Sequence, residues 1–259
     1  MRLCRIGPQP PGPAARPGPY ARGVAALTIG SMNLHCGLSA AGRPFDVPAA
    51  LASLDADLIA VQEAWWTADD AGPDDVAVAA DKLGAELIRI PLAESASLAD
   101  LAIAPRPDRG SWGIGVLSRL PVTSQEYISL GQAPGDPVSR AALVCMIETP
   151  DGWPLRLVST HLTHRFTSPV QLYKLTAHLA RADDTVPTVI AGDLNMPRLA
   201  TWIAAGYTPT VRGRTFPADR PVIQLDHLLV TPELEVTETA VLGPLGSDHL
   251  PVRARIRPA

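Results

Sequence analysis

The chain has 259 residues, 46% of them hydrophobic and 19% charged, with a formal net charge of −4; that is enough apolar side chain for a folded domain, and no global positive field of the kind that coats long stretches of nucleic acid. Cys4, Cys36 and Cys145 form neither a C-x-x-C pair nor a zinc spacing, which excludes a disulfide framework and points to free thiols in a reducing cytoplasm. No run approaches the ~18 apolar residues of a spanning helix.

Residues 1–23 carry six prolines and no continuous apolar stretch, and read as a loosely ordered tail rather than a secretory signal. Residues 24–259 read as one domain with no repeat and no internal linker. Val24–Met32 predicts a buried strand ending at Asn33, and Pro48–Leu54 a short helix with proline near its start. Leu58–Gln62 predicts an apolar strand that delivers Glu63 at its end. Ala77–Leu83 is alanine-rich and helical, and Glu86–Ile90 returns as a strand. Asp100–Pro107 reads as loop, because Pro105 and Pro107 interrupt regular structure. Ile114–Ser118, Ala141–Glu148 and Leu155–Ser159 predict strands, the last two joined by a turn at Pro150-Asp151-Gly152. Pro169–Arg181 predicts an amphipathic helix with Val170, Leu172, Leu175 and Leu179 on one side. Thr188–Ala191, Leu225–Val230 and Leu250–Ile256 predict the remaining strands, the last alternating apolar and basic residues.

The polar residues that could carry chemistry share a location. Asn33, Glu63, His161 and Asp193 each follow an apolar run; Asp226 begins one, and Asp248-His249 precede the last. Strand ends of a packed sheet hold side chains around one rim on a rigid scaffold. The set is rich in carboxylates, amides and imidazoles. Hard divalent cations take oxygen ligands, which suits Glu63 supported by Asn33. An imidazole beside a carboxylate is a tuned acid or base, a pairing open to His249 and Asp226. Asp193 and Asn195, two apart in extended chain, face one side. A thiol hydrolase built on Cys36 with His35 or His161 is the weakest alternative, since neighbours in a strand point to opposite faces.

In order, Asn33, Gln62-Glu63, Ser159-Thr160-His161-Leu162, Gly192-Asp193-Leu194-Asn195, Leu225-Asp226-His227 and Ser247-Asp248-His249 resemble the motifs of the endonuclease/exonuclease/phosphatase superfamily. Trp112–Arg119 and Ser139-Arg140-Ala141-Ala142 resemble two of its strands, and the likeness runs from about residue 27 to 256. Asn33-Leu34-His35-Cys36-Gly37 looks more like its sphingomyelinase and small phosphodiesterase branches than its nucleases. The resemblance implies a four-layer α/β sandwich of the deoxyribonuclease I type, two packed mixed sheets flanked by helices. It implies a metal-dependent phosphoesterase in which Glu63, Asn33 and Asp248 hold Mg²⁺ (or Mn²⁺). Asp193 orients or deprotonates water, Asn195 and His161 contact phosphate oxygens, His249 acts with Asp226, and Arg140 adds positive charge near the phosphate. Implied substrates are a phosphorylated small molecule, a lipid headgroup or a nucleic acid, acted on by a cytoplasmic monomer. A non-catalytic binding module and a nuclease are the competing readings, and Arg165 at the rim is a candidate selector of the leaving group.

Overall fold

The computed structural model describes residues 24–69, 71–100, 105–182 and 185–259. The proline-rich segment 1–23 lies outside the described residues. Twelve strands and four helices follow in chain order: β1 (Leu27–Asn33), α1 (Val47–Ala52), β2 (Leu58–Thr67), α2 (Asp75–Leu83), β3 (Glu86–Glu94), α3 (Ser95–Asp100), β4 (Gly110–Ser118), β5 (Val122–Gly131), β6 (Arg140–Glu148), β7 (Pro154–His161), α4 (Ser168–Ala182), β8 (Thr188–Asp193), β9 (Thr208–Pro209), β10 (Asp226–Val230), β11 (Leu234–Val241) and β12 (Val252–Pro258). They form two six-stranded mixed sheets, one in the order β11-β12-β1-β2-β4-β3 and the other β5-β6-β7-β8-β10-β9.

The central strands are apolar on both faces because each sheet is covered on both sides. Along β2, Leu58 and Ala60 join a core shared between the sheets, while Ile59 and Val61 pack toward Leu51 of α1 and Ala79 of α2. In the second sheet Leu157, Val189 and Leu228 face the shared core. Their neighbours Val158, Ile190 and Leu229 pack against Leu172, Leu175 and Leu179 of α4. Helix, sheet, sheet and helix therefore make the four layers expected.

The helices begin where local chemistry starts them. Asp46 accepts a hydrogen bond from Ala49 N (2.9 Å) to open α1 one residue before the predicted start at Pro48. Asp74 does the same for α2 through Val76 N and Ala77 N (2.9 and 3.0 Å), and Gly84 in the left-handed conformation closes it. The turn at Pro150–Gly152 forms as read, with Gly152 N donating to Thr149 O (2.9 Å).

Four sequence readings are corrected. β2 does not end before Glu63 but runs through it to Thr67. The stretch read as loop from Asp100 begins inside a helix, α3. On α4 Val170 is half-exposed and points away from the buried stripe, leaving Gln171 and Thr176 in the interior instead. Strands β5 and β11 were not anticipated; both lie at sheet edges with largely exposed polar side chains, so neither carries the apolar run that marks a covered strand.

Candidate active site

Both sheets carry a parallel pair at their middle, β1 with β2 and β7 with β8, and the C-terminal ends of these strands meet. Asn33 stands opposite Gln62, and His161 opposite Asp193. Antiparallel β10 returns to set Asp226 opposite Asp193. The loop before β12 is tied to the same place by Ser247, whose hydroxyl donates to Asn33 O (2.8 Å).

Two backbone devices aim the carboxylates. The β2–β4 register shifts between Val61 and Ala64, and Glu63 in that bulge has φ +46°, which turns its side chain out of the strand's alternation. A non-glycine residue with this conformation stores ~1–3 kcal/mol and persists only where its surroundings hold it. At the end of β8 the chain must be glycine: a Cβ on Gly192 would lie 1.9 Å from Thr160 O. This close approach of β7 and β8 sets His161 beside Asp193.

The side chains converge. Asn33 Nδ2 donates to Glu63 Oε1 (3.2 Å) and Asp193 Oδ2 (3.1 Å), bridging the two sheets. Its Oδ1 accepts from His35 N (3.0 Å). Asp193 Oδ1 accepts from Asn195 N (2.8 Å), and its Oδ2 lies 3.5 Å from His161 Nε2 and 3.8 Å from His249 Nε2. His249 Nδ1 is paired with Asp226 Oδ2 at 2.9 Å. Asp248 lies 3.7 Å from His35 Nδ1 and accepts from Ser247 Oγ (3.3 Å). All eight residues read from the sequence as the site thus join one linked cluster.

Their protonation differs in kind. Burial disfavours the ion at Asp193 and the nearby Asp226 charge adds to it, so its carboxyl is held well above the usual carboxylate range. Burial opposes the charged form of His249 too, but the charge and hydrogen bond of Asp226, with Asp193 on the other side, outweigh it and push the imidazolium up to about 10. His161 is neutral, pushed far down by burial and by the charge of Arg140. Asn195 Nδ2 donates to Leu162 O (2.9 Å) and meets His161 Nε2 at 3.0 Å. The neutral ring is therefore assigned its proton on Nδ1, with the Nε2 lone pair toward the cavity.

Arg140 sits further back than the resemblance implied. Its guanidinium is gripped by Asp136 through Nε (2.9 Å) and Nη2 (3.2 Å) and lies 5.1 Å from the Trp112 ring, which packs in turn on His161 at 5.4 Å. Its Nη1 is shielded from solvent, so in this arrangement it acts on the site through His161 rather than by touching phosphate. Arg165 donates to Gly135 O (2.7 Å) at the rim. Cys36 is buried in a short helical turn, its thiol pushed far up by burial and by Glu63, which removes the thiol reading.

Two groups of atoms could hold a cation. Asp193, Asp226 and His249 bring ligand-type atoms within 4.8 Å of one another, but there the His249 imidazolium already lies between the two acidic groups, 2.9 Å from Asp226 and 3.8 Å from Asp193. Glu63 and Asp248, 23% and 18% exposed, form no ion pair with Lys or Arg among the described residues. Their oxygens, with Asn33 Oδ1, are the donor set a hard cation prefers.

The sequence matches the Endonuclease/Exonuclease/phosphatase family over residues 30–249. The chain belongs to the endonuclease/exonuclease/phosphatase family. Members are generally hydrolases of phosphoesters, and typically depend on a divalent metal. None of the curated proteins matches the sequence at a significant level. Among solved structures, a family protein from Beutenbergia cavernae DSM 12333 is 21% identical, with a TM-score of 0.68 over 90% of this chain and 72% of that one. The Bacteroides thetaiotaomicron VPI-5482 mannosyl-6-phosphatase Bt3783 is 15% identical, with a TM-score of 0.69 over 89% and 99%. The catalytic domain of human Nocturnin, solved with a bound sulfate anion, is 15% identical, with a TM-score of 0.70 over 90% and 94%. At these identities the likeness is one of fold.

Several residues of this family site carry no sequence signal. Thr215 Oγ1 accepts from Leu225 N (3.0 Å) and Asp226 N (3.2 Å), and Phe216 packs its ring 4.7 Å from that of His249. Trp112 and Asp136 hold His161 and Arg140 from behind. Thr215, Phe216 and Asp136 look in the sequence like ordinary loop or core residues. Ser247 is legible as part of Ser-Asp-His, and Trp112 only as the first residue of the family-like strand Trp112–Arg119.

Proposed function

We infer that this chain is a divalent-cation-dependent phosphoesterase, with Mg²⁺ or Mn²⁺ as cofactor, that cleaves phosphomonoesters or phosphodiesters of small molecules by attack of water on phosphorus. The observation that carries the reading is the pair Asp193 and His249. Two groups 3.8 Å apart are pushed in complementary ways, one toward a base that titrates near neutrality and one toward an imidazolium that stays charged at neutral pH. Asp193, steadied by Asn33 and by Asn195 N, takes the proton of the attacking water. His249, charged and fixed by Asp226, donates Nε2–H toward the phosphoryl oxygens, where negative charge gathers in the transition state. Asn195 walls the cavity, and exchange of its contact with His161 for one to a phosphoryl oxygen gives its amide the stabilising role the resemblance implies, while the His161 Nε2 lone pair, which has no proton to give a phosphate, orients that amide. Burial, helped by the charge of Arg140 behind the ring, keeps His161 neutral. Glu63 and Asp248, with Asn33, would hold the cation, which when bound supplies a fixed positive charge against the substrate phosphate. Asn33 would then link the cation-binding carboxylate to the base.

The test is hydrolysis of p-nitrophenyl phosphate and bis(p-nitrophenyl) phosphate with Mg²⁺, with Mn²⁺ and with EDTA, for the wild type, Glu63→Ala and His249→Ala. Turnover should need the cation, and His249→Ala should lose about 10²–10³ in rate, as loss of one preorganised donor does. Turnover indifferent to EDTA, or unchanged in Glu63→Ala, would sink the assignment.

A further inference from the structure

Glu63 shares its unusual backbone with two neighbours. Of the five non-glycine residues with positive φ among the described residues, three lie at this corner of the site: Glu63 in the bulge of β2, and His35 and Cys36 (φ +44° and +57°) in the turn that follows Asn33. The turn bears directly on the oxygens that would take a cation. His35 N donates to Asn33 Oδ1 (3.0 Å), and His35 Nδ1 lies 3.7 Å from Asp248 Oδ1. Relaxing His35 and Cys36 to right-handed backbone would withdraw that N–H and leave the Asn33 amide free to turn over. Such conformations persist only where the surroundings over-determine them. Both the turn and the bulge therefore need a fastening.

One ion pair reaches both. Arg106 and Asp108 stand in the stretch before β4, Arg106 between two prolines. Arg106 Nε donates to Asp108 Oδ1 (2.9 Å), and Nη1 of the same guanidinium donates to Cys36 O (3.3 Å). The guanidinium lies over the turn, since a Cβ on Gly37 would meet Nη1 at 3.4 Å. The other oxygen of the carboxylate, Asp108 Oδ2, accepts from Trp65 Nε1 (2.9 Å), two residues beyond Glu63 on the same strand. Trp65 is buried in one cluster with Cys36 and Trp112. Asp75 at the start of α2 adds a second, looser carboxylate 3.8 Å from Nη1. The Arg106 and Asp108 side chains are both less than a quarter exposed, so their attraction is screened less than that of a surface pair.

We propose that Arg106 and Asp108 are positioning residues for the cation site. By tying Cys36 O to Trp65 Nε1 they hold the turn and the bulge so that Asn33, Glu63 and Asp248 present their oxygens together. This rests on the phosphoesterase reading of that site. Arg106 serves because a planar fork aims Nε and Nη1 at two partners in fixed directions, which an ammonium does not. Groups that orient metal ligands without touching the metal typically carry about 10–100-fold in affinity.

The experiment measures the dissociation constant of Mn²⁺ from the EPR signal of the free ion, well below each protein's thermal midpoint so that unfolded chain does not enter the constant. The proteins are the wild type, Glu63→Ala, Arg106→Ala, Arg106→Lys and Asp108→Asn, with Arg89→Ala as control. Arg89 pairs with Asp74 (3.0 Å) beside the same helix and reaches neither Cys36 nor Trp65 through a hydrogen bond. Arg106→Ala should weaken Mn²⁺ binding by about 10–100-fold, Arg106→Lys and Asp108→Asn by less, and Arg89→Ala not at all. Raising Mn²⁺ should then restore the turnover of Arg106→Lys on p-nitrophenyl phosphate, which lost stability alone would not allow. If Arg106→Ala fails to fold, the two conservative variants decide. Unchanged affinity in all the folded Arg106 and Asp108 variants, beside a Glu63→Ala that loses the ion, overturns this proposal and leaves the cation site standing. An equal loss in Arg89→Ala overturns it as well, because the effect would be one of general stability. A wild type that binds no Mn²⁺, or binds it unchanged in Glu63→Ala, removes the cation site itself and the positioning role with it.

Discussion

Glu63 holds a backbone conformation that its own side chain disfavours, and the neighbouring chain holds it there: Leu34 N donates to Gln62 O (2.8 Å) while Asn33 Nδ2 takes the carboxylate. Asp193 is strained in a different sense, as a carboxyl buried against another carboxylate. A group whose folded pKa lies above its unfolded value adds stability while protonated and loses it as pH rises through the folded pKa. For Asp193 that loss begins above the unfolded carboxylate value of 3.8 and is complete in mildly alkaline solution. Asp193→Asn should therefore raise the thermal midpoint more at pH 9 than at pH 5 while lowering activity by about 10²–10³. A midpoint that rises equally at both, or falls at pH 9, contradicts the burial argument. For His249, raised from 6.5 to about 10, the stabilising ion pair is fully present below 6.5 and disappears as pH climbs through about 10. On the proposed mechanism the same proton serves the transition state. The pH–rate profile of the Mg²⁺-loaded enzyme should thus fall on an alkaline limb, and the limb should move to lower pH in Asp226→Asn, where the charge that raises His249 is gone.

Among the elements, legibility followed coverage. Strands covered on both faces, such as β1, β8 and β10, announce themselves as apolar runs with polar residues at their ends, and those ends meet at the candidate site. Edge strands β5 and β11 need no such run, and α4 buries Gln171 because its amide is used: Oε1 accepts from Thr163 N (2.9 Å) and Nε2 donates to Gly131 O (3.2 Å). The bulge at Glu63 was invisible because no proline or glycine marks it. Gly192 was visible in Gly-Asp-Leu-Asn, but its reason is the distance to β7. Gly192→Ala places a methyl where Thr160 O stands, so β8 must move away from β7 and take Asp193 from His161. We expect a loss of ~1–3 kcal/mol in stability from the overpacking, and a fall in kcat greater than the change in KM. Normal kcat in a destabilised Gly192→Ala protein would mean that the strand spacing does not set the catalytic geometry.

At the scale of the molecule, residues from 33 to 249 gather because two sheets with the same central parallel pair pack with those ends together, and motif order in the sequence reports that gathering only through resemblance. What the sequence could not carry was electrical. Four carboxylates, Glu63, Asp193, Asp226 and Asp248, meet at this junction with one imidazolium to offset them. Like charges pressed together at the seam of two sheets oppose the packing that brings them there. On the proposed reading a divalent cation on Glu63 and Asp248 would relieve this, and because only the folded chain would assemble that pair, binding would stabilise the fold. At ~100 times the dissociation constant the gain is about 2.7 kcal/mol, or ~5 °C or more in the thermal midpoint for a domain of this size. Mg²⁺ should raise the midpoint of the wild type by that order, EDTA should reverse it, and Glu63→Gln should abolish the response. The same variant without Mg²⁺ should melt above the wild type, since removing one carboxylate relieves the repulsion that the cation otherwise offsets. If Glu63→Gln melted lower in EDTA, or still responded to Mg²⁺ in full, the cation would have to sit elsewhere, and the cluster of Asp193, Asp226 and His249 would be where to look.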